Sequence, residues 1–211
     1  MRRASLAVAE NSADTVSPLV VKVGGSLAET GRMPAALSLI AAARVPVVVV
    51  PGGGPFADSI RALQPTMKFG EALAHRLAML AMHQMAELIV VQNDRFTVVQ
   101  SLAEISDAVR GGKVPVWAPL RMIAGDAAVP AGWTATSDTL AARLAELLGA
   151  PLVLLKSVDV EEGASLDDLA ARGVIDPVMP SIVARGSLSW SIFGPSGEAR
   201  FRALLAGEGE R

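Results

Sequence analysis

The stretch 45-VPVVVV-50 is an apolar run dominated by valine, and it ends in 51-PGGGPFADSIR-61. Branched side chains are stiff at χ1 and favour strands, and a strand apolar at every position has to be covered on both faces. A parallel sheet with helices packed on either side meets that condition. Pro55 stands where the first residue of a helix would, so the glycines lie between a buried strand and a helix N-terminus. Three consecutive glycines exceed what a tight turn requires. Bare backbone amides beside a helix N-terminus hold a phosphate.

The rest of the chain follows the same alternation. Residues 19-LVVKV-23 read as a strand, 33-MPAALSLIAAA-43 and 55-PFADSIRAL-63 as helices, and 70-GEALAHRLAMLAMHQMAELIVVQ-92 as a long Ala- and Met-rich helix with strand character at its end. Short strands at 96-FTVV-99 and 114-VPVWAP-119 flank a helix over 101–110. The helix 136-TSDTLAARLAELLG-149 has polar starters and a glycine stop, and 152-LVLLKSVDV-160 is another apolar strand. Helical stretches over 165–173 and 177–186, a strand over 187–194 and a helix over 196–205 complete the pattern. The reading is α/β, with a mainly parallel central sheet in one domain over 19–205.

Composition narrows the function. A chain of 211 residues that is 51% hydrophobic has room for one sizeable core. With a net charge of −2 and no basic run, nucleic acid is not expected as a partner. The absence of cysteine rules out disulfides and thiolate chemistry and suits a cytoplasmic location. No apolar run reaches the roughly 18 residues of a membrane span. The opening 1-MRRASLAVAENSADTVSP-18 has too short an apolar patch for a signal peptide, so a disordered tail is expected over 1–18.

Lys22 interrupts a strand that should be buried, and an unpaired buried ammonium costs several kcal/mol. It either snorkels out at the strand end or meets an anion. Gly24 and Gly25, just beyond it, let backbone approach a ligand. Lys156 repeats the pattern in its own strand. Two lysines converging at strand C-termini, with glycine amides, form a constellation suited to phosphoryl transfer, which asks a protein mainly for positioning and charge neutralisation. Asp138 at a helix start either caps that helix or orients the two lysines. Arg61 either meets an anionic substrate or is solvated. His75 and His83 are spaced too far apart for a shared metal, and Met79, Met82 and Met85 suit packing or a subunit interface. The stretch 52-GGGPFA-57 also matches a dinucleotide fingerprint with Glu71 beyond it, but on the second strand rather than the first. There is no P-loop, since 111-GGKV-114 fails its spacing.

Taken together, 20-VVKVGGS-26, 49-VVPGGGPFA-57, 136-TSDTLA-141 and 154-LLKSVDV-160, in that order, resemble the amino acid kinase family. The resemblance implies an open three-layer αβα sandwich, with a phosphoryl acceptor over the N-terminal half and ATP, carried with Mg²⁺, over the C-terminal half. Lys22 and Lys156 would be catalytic, with Asp138 organising them. Gly24, Gly25, Ser26, Gly53 and Gly54 would hold phosphates, and Ser157, Asp159 and Val160 would run along the nucleotide. Gly52, Phe56, Arg61, His75 and Met79 would line the acceptor site. The stretches 75-HRLAMLAMHQM-85 and 50-VPGGGPFADSIR-61, with Trp133, are most similar to the small kinase-like proteins of methanofuran biosynthesis, whose acceptor is a phosphate monoester. A homodimer or higher homo-oligomer is implied too. Amino-acid, carboxylate or UMP kinases of the same fold, a non-catalytic nucleotide- or oxyanion-binding protein and, on the weak fingerprint, a dehydrogenase are the alternatives. The family's histidine after the glycine triplet in isopentenyl phosphate kinases is missing from 55-PFADS-59, and 159-DVEEGA-164 departs from the usual D-V-D-G-V.

Overall fold

The structure, a computed structural model, describes residues 17–208. All but the last two residues of the tail expected over 1–18 fall outside them. Six strands form one sheet in the order β3-β4-β2-β1-β5-β6: β1 Leu19–Val23, β2 Val47–Pro51, β3 Phe96–Val99, β4 Val114–Trp117, β5 Leu152–Leu155 and β6 Trp190–Phe193. Every pairing is parallel. From β1 the chain adds β2 beside it, passes out to β3 at the edge and returns to insert β4 between β3 and β2, then crosses to β5 and β6 on the other side. The order therefore reverses at β1, and the crevice beyond the strand C-termini there is where sheets of this kind take ligands.

Alternate residues of the central strands feed two cores. Val20, Val48, Val50, Leu152 and Leu154 pack on one face with α7 (Ser137–Leu148) and α9 (Met179–Arg185). Val21, Val47, Val49, Val153 and Leu155 pack on the other with α2 (Met33–Ala41) and α10 (Glu198–Ala206). The period of two in strand side chains gives this division. It also puts Lys22, in register with Val50 and Leu154, on the α7 face.

The remaining helices are α1 (Ser26–Glu29), α3 (Gly54–Met67), α4 (Glu71–Val90), α5 (Leu102–Arg110), α6 (Leu120–Ile123) and α8 (Leu166–Ala171). The one-turn helices α1 and α6 have no sequence periodicity long enough to announce them. Helix α4 ends at Val90 without becoming a strand, and β5 stops at Leu155 rather than continuing to 160. Helix α3 runs past Leu63 to Met67 with Pro65 inside it, and stops where Lys68 turns left-handed at φ 53°. None of the described helices is long and apolar enough to cross a membrane.

Candidate functional site

Three charged side chains meet at the reversal point. Lys22 lies one residue before the end of β1, Lys156 follows directly after β5, and Asp138 is the second residue of α7. Asp138 Oδ1 is 2.9 Å from Lys22 Nζ, and Oδ2 accepts a 2.6 Å hydrogen bond from Lys156 Nζ. The Asp138 side chain is only 6% exposed. Burial by itself would raise its carboxyl pKa, but the Lys22 and Lys156 ammonium groups outweigh burial and hold it below the ordinary carboxylate range. Burial, with Lys22 second, pushes the Lys156 ammonium down, against the attraction of Asp138. One carboxylate thus serves two ammonium groups. Lys22 does not snorkel to solvent; it is buried and paired.

Asp138 does not cap its helix either. The first turn of α7 is held from outside by Asp176, in the loop between α8 and α9. Asp176 accepts hydrogen bonds from the Thr136 N–H (2.7 Å), the Thr136 hydroxyl (2.8 Å) and the Thr139 N–H (3.0 Å). Its carboxyl is pushed up by burial first and by Asp138 second, against those hydrogen bonds. Sequence reading misses Asp176, because a cap supplied from another element leaves no spacing signal.

The glycines do more than free a turn. A Cβ on Gly25 would lie 2.5 Å from the Gly54 backbone, and one on Gly52 would lie 2.5 Å from the Gly25 nitrogen. The turns after β1 and β2 therefore touch backbone to backbone, which only glycines permit. Gly54 also sits at φ 51°, a left-handed conformation. Among the described residues, the N–H groups of Gly25, Ser26, Gly53 and Gly54 donate to no protein acceptor. Ser26 and Gly54 open helices, whose first N–H groups have no partner within the helix.

These turns form the floor of a cavity of about 260 Å³ that Lys22, Gly25, Ser26 and Gly52–Gly54 share with Arg61, His75 and Met79. Its outer wall is the loop around Trp133. The Arg61 guanidinium lies 4.3 Å from the Trp133 ring centroid and 2.8 Å from Asp58 Oδ1. Trp133 Nε1 donates to Gln64 Oε1 at 2.6 Å, and Gln64 Nε2 donates to Glu71 Oε1 at 2.9 Å. Glu71 thus ties the wall to α4 and is no ribose contact at the end of a strand. His75 is buried, with Nδ1 3.3 Å from the Gly132 carbonyl oxygen.

Other expected residues lie apart from this cavity. Phe56 is exposed on α3, and Gly24 lies beside the charge cluster, where a Cβ would be 3.2 Å from the Leu155 carbonyl oxygen and 3.3 Å from Lys22 Nζ. Ser157, Asp159 and Val160 lie beyond β5; the Asp159 carboxylate accepts from both the N–H and the hydroxyl of Ser196. Arg32, unremarked in the sequence, donates to the Lys156 carbonyl oxygen. His83 accepts from the Leu120 N–H and belongs to packing between α4 and α6.

A model of the amino acid kinase family matches residues 17–160. The chain belongs to that family. A curated relative, the [5-(aminomethyl)furan-3-yl]methyl phosphate kinase of Methanocaldococcus jannaschii, is 24% identical over 144 residues, 67% of this chain and 66% of that protein. The chain thus aligns with just under two thirds of the relative's length. Among solved structures, the uridylate kinase of Archaeoglobus fulgidus superposes with a TM-score of 0.64 at 20% identity, covering 91% of this chain and 97% of that one. The UMP kinase of Bacillus anthracis gives 0.66 at 12% identity, covering 91% and 93%. The amino acid kinase fold expected from the motifs is thereby borne out.

Proposed function

We propose that this amino acid kinase family member is an ATP-dependent phosphotransferase whose acceptor is a phosphate monoester bound in the cavity beside Lys22. One observation carries the reading: two lysines from adjacent strands share one buried carboxylate at the ligand crevice. That arrangement supports fixed positive charge where phosphoryl oxygens gather charge as the bond to the leaving ADP breaks and the bond to the acceptor oxygen forms. Asp138 would keep both ammonium groups aimed. The free amides of Gly25, Ser26, Gly53 and Gly54 would bind phosphate oxygens. The donor set of lysines, amides and a lysine-paired carboxylate fits phosphate oxygens; Mg²⁺ would be carried by the nucleotide's own phosphates.

A phosphate acceptor already presents an ionised oxygen, so no general base is required of the protein, and Arg61 supplies a planar cation at the far side of the cavity. By the curated relative, an aminomethylfuran-methanol phosphate is the acceptor we favour, in a cytoplasmic C1-cofactor pathway. The homo-oligomer implied by the resemblance has a candidate face in Leu63, Met67, Leu73 and Leu80, which α3 and α4 leave exposed; light scattering tests it. The main test is ADP release from ATP and Mg²⁺ with a panel of acceptors: the furan phosphate, UMP, isopentenyl phosphate, acetylglutamate and carbamate. Turnover with the furan phosphate alone supports the reading. Turnover only with acetylglutamate or carbamate replaces it with a carboxylate-type kinase, and ATP binding without turnover on any acceptor argues for a binding protein.

A further inference from the structure

Asp176 is an acidic group beside the lysine pair for which the phosphotransferase reading has no role. It lies outside the segment matched by the family model, which ends at residue 160. It stands at a junction of two helices. Its backbone carbonyl accepts from the Met179 N–H at the start of α9, and its carboxylate accepts three hydrogen bonds from the first turn of α7. Thr136 is the N-cap residue of α7, and its side chain makes no cap of its own. Its hydroxyl donates to Asp176 instead, and Asp176 takes the N–H of Thr139, the group an N-cap side chain usually satisfies.

Asp138 sits between those two anchored residues. The first turn of a helix has no internal partners for its N–H groups and frays when nothing else binds them. A frayed turn would carry Asp138 off the two ammonium groups. The same turn brings Thr136 and Ser137 to the cavity wall, so a single cap fixes both the charge cluster and part of the acceptor site. The like charge of Asp138 nearby adds to the argument: at the positive end of α7 one carboxylate faces the lysines while the other faces the amides.

We propose that Asp176 is a positioning residue for phosphoryl transfer, acting through the first turn of α7 to aim Asp138 at Lys22 and Lys156. The proposal rests on the phosphotransferase reading. Small displacements of a positioned group cost turnover steeply, on the order of a hundredfold per ångström. The test is Asp176→Asn, which keeps the shape and removes one of two fully acceptor oxygens. The expected result is a kcat lower by roughly tenfold or more, with the KM for ATP within about twofold and faster amide exchange confined to residues 136–141 in a protein that still melts cooperatively. A role in stability alone would lower the melting temperature and leave kcat of the folded protein in place, which would overturn the proposal. If the variant does not fold, amide exchange in the unaltered protein decides: slow exchange at Thr136 and Thr139 supports the cap, and fast exchange at both overturns it. If the unaltered protein turns over no acceptor, the phosphotransferase reading fails separately. Unchanged exchange in Asp176→Asn then overturns the cap, and faster exchange at 136–141 upholds it.

Discussion

Helix α7 carries a charge cluster on each of its halves, and the two are built on opposite principles. At its start, two lysines share the single carboxylate of Asp138, and the Asp176 carboxylate holds the amides of the same turn. Further along, Arg143 donates to Asp126 at 2.7 Å and to Glu146 at 2.6 Å, while Arg185 of α9 holds both Glu146 oxygens at 2.6 and 2.7 Å. Two arginines meet two carboxylates there, and planar forks satisfy the oxygens with nothing left over. Hydrogen bonds from Arg185, ahead of those from Arg143 and against burial, bring the Glu146 carboxyl from its ordinary 4.5 down to about 2. The neutral cluster fastens α7 to its surroundings. The lysine cluster lies at the cavity, whose lining includes Lys22.

The comparison breaks most visibly at the lysines. Lys22→Ala or Lys156→Ala is expected to lower turnover by about two to three orders of magnitude, the usual cost of removing one fixed charge donor. Steady-state ADP release measures it, and wild-type turnover in both variants would sink the two-lysine mechanism. Arg61→Ala comes next: a rise of about tenfold in the acceptor KM with the KM for ATP unchanged, as for the loss of one charged hydrogen-bonding group at a half-open site. An unchanged acceptor KM would leave Arg61 as a wall residue only.

The neutral cluster should behave in the opposite way. Glu146→Gln is expected to leave kcat alone and to cost on the order of 2 kcal/mol of stability, after a discount for solvent at the half-exposed Arg185. Denaturant unfolding checks it. Because the folded pKa lies below the unfolded one, this stability is complete above pH 4.5 and fades as the pH falls toward 2. The gap between Glu146→Gln and the unaltered protein should therefore close over that interval. A gap that persists at the acid end would mean that packing, rather than charge, holds the joint.

Much of this was readable from the chain because single residues broke strong patterns. Lys22 and Lys156 stand out in otherwise apolar strands, although the face that Lys22 takes comes from its register with Val50 and Leu154. The valine run predicts a sheet covered on both sides, and the sheet is wholly parallel. What escaped was whatever depends on two distant segments meeting. Asp176 caps a helix that starts 40 residues earlier. Glu71 was legible only as a distance from a glycine motif, while its actual work, bonding Gln64 beside Trp133, requires α3 and α4 side by side. The glycine triplet reads in the sequence as a phosphate-holding turn, and what the sequence could not show is that its backbone packs against the other glycine turn.

That last contact has a mechanical consequence. Two turns in backbone contact cannot shift independently, so the amides on both behave as a single rigid plate. The opposite wall is held differently: Trp133 Nε1 donates to Gln64, its backbone N–H donates to Glu71 Oε2, and its ring lies under the Arg61 guanidinium. The glycine floor, backbone against backbone, is therefore the stiffer wall of the cavity, and the tryptophan side, which reaches α3 and α4 through long side chains, is the softer one.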